Sequence, residues 1–399
     1  MSNDWTPFRP GPQDLERITG EVAPIPKIQA ELLANHPDLK AADRGAHQYQ
    51  IAGSRVELRI DDALPAALDG IGLFEPGVTH RGIARLSTGL GYPHLETDPD
   101  FLGLMAAFQT KAGQRVDFLA INDPSSPTDD HRAFISLLEA TAASAGAEAP
   151  FAGKAGDLDL LDLAAVQTRF ALAMVRALGM RDGLKALGHV LGQTLTTARS
   201  STAWQTYWTG VVEIGGTAGK FVFVPTVDQN RLRDLQPGER HLSDEWRARQ
   251  AAGDVMFRLY WLPFVSQQDT STTRLSEPWV EQRHPVGQLR FPQIAADSEE
   301  AALWAALAAE MGASPSNWVR DKKGGIALPG TEFGVARQIA YQKSQEGRSV
   351  LPPADYAEVF ETGRIGAALA AELRRRRAAK RAAGHHDSAP ADRVAPSSS

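Results

Sequence analysis

The sequence predicts an α+β protein: an eight-stranded antiparallel β-barrel with helices inserted between its two halves and further helices at the C-terminus. Residues 47–121 break into short runs with alternating apolar residues, separated by Gly, Pro or Asp. After an intervening stretch of Ala- and Leu-rich helical text, runs enriched in β-branched and aromatic residues resume at YWTGVVEI. From Ser298 onward the pattern is helical again.

Taken in order, residues 1–26 are rich in Pro and Gly and predict an extended N-terminal arm, followed by a short helix over Lys27–Ala34. The first strand block contains HQYQIAG, SRVELRI, RGIARLST, GLMAAFQT and QRVDFLAI. Gly53-Ser54 lies between the first two runs and reads as a two-residue hairpin turn. The segment PTDDHRAFISLLEATAASA carries Thr and Asp before an apolar run of helical period, a helix start. Helical text continues from about Leu158 to Arg199, so the insertion covers about residues 128–200. The second block is YWTGVVEI, KFVFVPTV, DVMFRLYWLPF and VGQLRFPQ, with Gly215-Gly216 as a turn between the first two. Helices then follow over Ser298–Gly312 and Thr331–Gly347, and from Pro353 to about Ala383. The barrel unit is thus expected over 27–350, a C-terminal helix over 351–383, and a tail too poor in apolar residues to order itself over 384–399.

Composition removes several classes of function. With 42 Lys+Arg against 48 Asp+Glu the net charge is −6, so the molecule as a whole is not an electrostatic nucleic-acid binder. Cysteine is absent, which excludes disulfides, thiolate metal sites and cysteine nucleophiles. Met1–Pro12 lacks a basic-then-apolar signal pattern, and no stretch of about 18 apolar residues occurs, so the expected address is cytoplasmic and no membrane partner is expected. HExxH, Walker and GxSxG motifs are also missing.

One constellation carries chemistry. Arg337, Tyr341, Ser344 and Arg348 stand at offsets 0, 4, 7 and 11, and at about 100° per residue they fall within about 60° of one helical face. A phenol between two guanidiniums has its phenolate favoured, and phenolate is a hard oxygen ligand for ferric iron. Spacing alone favours a partly buried tyrosine with solvated arginines around it.

At this point the chain resembles the haem catalase family, in particular its small, divergent catalase-related peroxidase branch. The family's proximal helix has Arg-x-x-x-Tyr followed seven residues later by Arg, and ARQIAYQKSQEGR supplies Arg337, Tyr341 and Arg348, with Ser344 where the family usually has threonine. The family's Arg-x-x-His is matched by DRGAHQYQ, with Arg44 and His47, and its Arg-Phe-Ser-Thr by ARLSTGLG, with Arg85, Ser87 and Thr88. DPDFLGLMAAF, covering Asp98, Pro99 and Phe108, and DFLAINDP, Asp117 to Pro124, are similar to two further motifs in the family's order.

The resemblance implies haem b as cofactor and a peroxide-consuming activity on hydrogen peroxide or a small organic hydroperoxide, with a small organic electron donor in the peroxidase case. It leaves room for a homo-oligomer. It makes Tyr341 the iron ligand, kept ionised by Arg337. Arg44, Arg85 and Arg348 pair with the propionates, Ser344 lies on the cofactor side, and His47 with Ser87 forms the distal base. A gapless alignment puts Ile121 at the first family asparagine and Asn122 at the second. Asn122 takes over the distal amide only if a bulge shifts the register. The region after the proximal helix is too short for the extra flavodoxin-like domain of large catalases. Rival readings are a non-catalytic haem- or partner-binding barrel, and a lipid-hydroperoxide isomerase, which needs a long apolar channel.

Other clusters read as structural. Asp61-Asp62 and Asp129-Asp130 sit where turns or caps are expected. His131 stands near a helix start, and Phe134 one turn on is placed to touch a macrocycle face. The cations Arg374–Arg377, Lys380 and Arg381 read as a solvated helix end complementing the helix dipole.

Overall fold

The computed structural model describes residues 5–35, 44, 46–89, 96, 101–144, 201–226, 241–317, 328–346, 348 and 350–382, with scattered positions between 172 and 188. Most of the expected helical stretch from Leu158 to Arg199, the motif residues Asp98 and Pro99, and the expected tail lie outside the described residues.

The strands are β1 Gln50–Ile60, β2 Thr79–Thr88, β3 Leu102–Gln109, β4 Arg115–Ile121, β5 Tyr207–Thr209, β6 Val212–Ile214, β7 Thr217–Pro225, β8 Val255–Pro263, β9 His284–Phe291 and β10 Leu328–Pro329. They form one antiparallel sheet in the order β10-β6-β7-β5-β4-β3-β2-β1-β9-β8, and a β7–β8 pairing closes it into an eight-stranded barrel that leaves β6 and β10 as a flap on β7. Closure removes the free edges that an open sheet of this length would present.

Alternation along the strands sends one set of side chains inward. Phe108, Phe118, Phe221, Phe223, Phe257 and Trp261 fill the interior, all of them buried. Phe118 meets Phe108, Phe221 and Phe223 edge-on, with centroids 5.3 to 6.0 Å apart. Such edge-to-face packing makes the barrel a solid core and not a pore.

Four expectations need correction, one being that the single C-terminal helix expected over 351–383 is two, Ala357–Thr362 and Ala367–Ala382, with Gly363 at φ 68° ending the first. Gly53-Ser54 is no hairpin turn: β1 runs straight through it, pairing Gly53 with Arg85 and Ser54 with Ala84. The glycine is there because a helix lies against it. A Cβ on Gly53 would stand 2.6 Å from Ala308 Cβ and 2.8 Å from Ala305 Cα. The N-terminal arm is not extended throughout, since Pro12–Val22 is a helix (α1) with Gly11 as N-cap and proline in the first turn. YWTGVVEI is two strands, β5 and β6, divided at Gly210. Gly215 and Gly216, by contrast, form the expected turn, at φ 59° and 77°, with Ile214 and Thr217 paired across it.

The remaining helices are α2 Ile25–Asn35, α3 His131–Ser144, α4 His241–Ala252, α5 Glu299–Glu310, α6 Glu332–Glu346, α7 Ala357–Thr362 and α8 Ala367–Ala382. Asp130 caps α3, accepting from the Ala133 N–H at 2.8 Å, and Asp129 accepts from Ser276. Helix α5 is the one that lies on β1. The cations of α8 are engaged locally: Arg374 with Glu299, Arg376 with Glu372 and Glu310, and Lys380 with Glu310. Among the described residues no helix is long and apolar enough to cross a membrane.

Candidate functional site

The outer face of β2, β3 and β4 carries Arg85, Ser87, Gly103, Met105, Leu119 and Ile121, the residues that alternate with the barrel core. Helices α2, α3 and α6 cover this face and enclose a cavity of about 280 Å³ and an adjoining one of about 140 Å³. His47, Leu119, Ile121, Phe134, Arg337 and Tyr341 line both, so the two are chambers of one space.

His47 enters from the barrel side, in the segment just before β1. Its backbone is left-handed, φ 56°, a conformation that costs a non-glycine residue on the order of 1 kcal/mol or more. Two hydrogen bonds hold it there: the His47 N–H donates to the Gly89 carbonyl at 2.8 Å, and the His47 carbonyl accepts from Arg85 Nη2 at 2.8 Å. The turn lays the imidazole over Gly103, where a Cβ would stand 2.6 Å from both Cε1 and Nδ1. Nδ1 lies 3.2 Å from Ser87 Oγ. This bond orients the ring toward the chamber that His47 lines.

Tyr341 enters from the helix side. Thr331 starts α6, its Oγ1 accepting from the Gly334 N–H at 3.0 Å. Arg337 lies one turn before Tyr341, and its guanidinium has room because residue 210 is glycine: a Cβ there would meet Arg337 Nη1 at 2.7 Å. Ser344 lines the smaller chamber and accepts from Gln29 Nε2 of α2 at 3.0 Å.

Arg44, Arg85 and Arg348 also line the smaller chamber. Arg85 is 5% exposed and donates to Gln50 Oε1 at 3.1 Å and to the Gln48 carbonyl at 3.2 Å. Arg44 donates to the Ala309 carbonyl at 3.0 Å. These acceptors orient the guanidiniums of Arg44 and Arg85 at this end of the space.

Asn122 is not in the site. Its Oδ1 accepts from the Leu102 N–H at 2.7 Å, and its Nδ2 donates to Gln205 Oε1 at 3.4 Å. No bulge occurs in β4, whose register with β3 is unbroken from Arg115 to Ile121, so the pleat turns Ile121 to the cavity and Asn122 away from it. At this point of the wall the cavity is lined by the apolar Ile121.

Sequence reasoning missed two participants. Gly103 carries no signal on its own, because its role is set by the ring of a residue 56 positions earlier. Lys220, on β7, reads as one charge in a strand, yet it is 4% exposed and lines the larger chamber. Burial pushes its pKa down to about 8, with Glu281 and Asp123 acting in the other direction. Phe134 lines both chambers.

His131 stands with Glu21 and Glu332, their ligand-type atoms within 4.8 Å of one another. Arg17 Nη1 bridges the two carboxylates, at 3.0 Å to Glu21 and 2.9 Å to Glu332, and Arg132 Nε takes Glu21 Oε1 at 2.7 Å. Guanidiniums already fill the place of a metal, and the cluster acts as an ionic tie between α1, α3 and α6. Glu21 is held down to about 2: burial works against this, and hydrogen bonds from His131, Arg132 and Arg17 outweigh it.

No protein-family model matches the chain, and no curated protein matches it in sequence. Solved structures do. A bacterial catalase aligns at 16% identity over 91% of this chain and 66% of its own, with a TM-score of 0.57. A fungal catalase aligns at 14% identity over 87% and 66%, with a TM-score of 0.53. Catalase A from Saccharomyces cerevisiae aligns at 13% identity over 88% and 69%, with a TM-score of 0.54. The chain therefore spans about two thirds of the length of these proteins. At such identities the likeness establishes architecture: this chain has the closed antiparallel barrel with flanking helices of the catalase fold.

Proposed function

We propose that the protein is a haem-dependent peroxide-consuming enzyme of the small catalase-related kind, acting on hydrogen peroxide or a small organic hydroperoxide. One observation carries the reading. An imidazole fixed over a glycine and bonded to a serine hydroxyl shares a chamber with a tyrosine whose helix also presents an arginine one turn earlier. The catalase fold of the neighbours supports it.

The residues present suit haem b. Gly103 keeps the ring of His47 tight against the barrel wall, and Leu119, Ile121 and Phe134 give the space apolar sides. Arg44, Arg85 and Arg348 gather where two carboxylates would need cations, since a buried unpaired carboxylate costs several kcal/mol. In this reading Tyr341 is the iron ligand, with Arg337 one turn before it and Ser344 beside it on the same helical face.

When bound, haem supplies the iron and the redox equivalents for breaking an O–O bond. The chain manages the proton. With Nδ1–H donated to Ser87 Oγ, His47 Nε2 accepts a proton from one peroxide oxygen and returns it to the other, which leaves as water. Ile121 offers no hydrogen bond to peroxide, so positioning is weaker than an amide would give. The expected profile is modest dismutation with appreciable peroxidase activity toward a small organic donor.

An optical spectrum of the haemin-loaded protein tests the assignment. A Soret band with high-spin ferric charge-transfer features is expected, and Tyr341→Phe alters it. A spectrum unchanged by that substitution removes Tyr341 as ligand, and protein that refuses haemin removes the whole reading.

A further inference from the structure

The larger chamber continues along the barrel wall beyond the residues used above. Ser87, Gly103, Ile121, Trp208 and Val222 are paired in turn across β2, β3, β4, β5 and β7. At a strand spacing of about 4.8 Å, β7 lies roughly 14 Å around the wall from the glycine that seats His47. Lys220 is two residues along β7 from Val222 and shares its outward face.

Its ammonium group has three N–H donors and makes one long hydrogen bond, 3.3 Å to the Pro124 carbonyl, while lying 4.6 Å from the centroid of the Trp279 ring. Among the described residues, no carboxylate forms an ion pair with it. The acids that act on it from neighbouring elements, Asp123 and Glu281, have other bonds: Asp123 Oδ1 accepts from the Ser125 N–H and Oγ, and Glu281 accepts from Trp208 Nε1 and Arg283. A buried cation with unused donors thus faces a chamber whose walls include Ile121, Trp208, Val211, Leu275 and Phe333, with Asp123 and Ser125 as polar residues in the same lining. Solvating such a charge by one carbonyl and one ring is incomplete, and an anionic group with an apolar body would complete it.

We infer that this end of the chamber binds the carboxylate of an apolar monocarboxylic acid, with Lys220 as its anchor and the body of the acid lying along Trp208, Val211, Leu275 and Phe333, apart from the Tyr341 end. The site follows from the chamber and its cation, goes beyond the peroxide reading and does not require it.

Laurate and its neutral counterpart dodecanol are the probes, titrated into the full-length protein with and without bound haemin and followed by tryptophan fluorescence, since Trp208 and Trp279 flank the anchor. Laurate is expected to bind at least about tenfold more tightly than dodecanol in both forms, and Lys220→Met to remove that preference while retaining dodecanol binding. Equal affinities in the parent protein overturn the inference. So does a laurate preference that survives in Lys220→Met, which would place the carboxylate at Arg44, Arg85 or Arg348. Failure to take up haemin sinks the peroxide reading and leaves the comparison of laurate with dodecanol intact, so the two failures are distinguishable.

Discussion

The imidazole of His47 rests on the Cα of Gly103, at a separation that leaves no room for a methyl group. A Cβ at residue 103 would meet Nδ1 and Cε1 at 2.6 Å and Ser87 Oγ at 3.0 Å, so Gly103→Ala must push the ring off the barrel wall and break its tie to Ser87. A correctly placed proton-transferring side chain contributes typically 10²- to 10⁴-fold. Gly103→Ala is therefore expected to lower peroxide consumption by roughly 10²-fold with haemin uptake preserved. Adding His47→Ala to it should cost little more, because both changes remove one function. Stopped-flow peroxide consumption beside Soret titration reads both, and near-parental activity in Gly103→Ala would show that the ring position does not matter.

Residues 121 and 122 keep the places a gapless alignment gives them. Ile121 lines the cavity, whereas Asn122 fastens the start of β3 to the end of β4 through the Leu102 N–H. Ile121→Asn is expected to place an amide in the chamber and raise dismutation relative to peroxidase turnover. Asn122→Ala should leave that ratio alone and lower stability by about 1 kcal/mol, the cost of one buried hydrogen bond. Paired activity assays and urea melts distinguish the two. A dismutation loss in Asn122→Ala with unchanged stability would return that residue to the chemistry.

These two positions show how far local pattern reaches. The strands were legible because side-chain alternation is a local property, and so was the face bearing Arg337, Tyr341 and Ser344, because helical spacing is local too. Gly53 was misread because a glycine in a strand signals either a turn or a close neighbour, and the neighbour, α5, is about 250 residues away in sequence. The helix at Pro12–Val22 was hidden by proline, although Gly11-Pro12 followed by Asp14 is a helix start. Gly103 and Lys220 take their roles from partners brought together only by tertiary folding, and no window of sequence contains those partners.

At the wall of the larger chamber, Asp117 and its neighbour Arg115 hold the segment after α5 against β4. Asp117 has a fully buried side chain. It accepts from Arg115 Nε at 2.7 Å, from the Ser314 N–H at 2.9 Å and from Asn317 Nδ2 at 2.8 Å. Arg115 also donates to the Tyr356 hydroxyl and to the Gly312 carbonyl. Removing one partner from a buried pair strands the other charge, so Asp117→Ala is expected to cost about 3 to 5 kcal/mol and Tyr356→Phe about 1 kcal/mol. Ala313 and Gln345, joined by a 2.7 Å hydrogen bond, line the smaller chamber next to this segment, so Asp117→Ala should also weaken haemin uptake. Denaturant melts with haemin titration check both. A loss under 1 kcal/mol in Asp117→Ala would show that the network is dispensable.

Lys220 gives the last prediction, and its sign is opposite to that of an ion pair. Its pKa falls from 10.5 to about 8 on folding, chiefly through burial. Between about pH 8 and 10.5 the unfolded chain holds this proton and the folded one does not, so stability rises with pH across that window. Below pH 8 the full cost is present, and at about 1.4 kcal/mol per pKa unit it is on the order of 3 kcal/mol. Lys220→Met removes the charge and keeps most of the volume. It should therefore melt higher than the parent at pH 7 and lose the rise in stability between pH 8 and 10.5. Laurate should raise the melting temperature of the parent at pH 7 and have less effect on the variant, because a bound carboxylate offsets the same cost. A Lys220→Met protein that melts lower than the parent at pH 7 would mean that the ammonium is already fully compensated within the fold, and the chamber would then have no reason to prefer an acid.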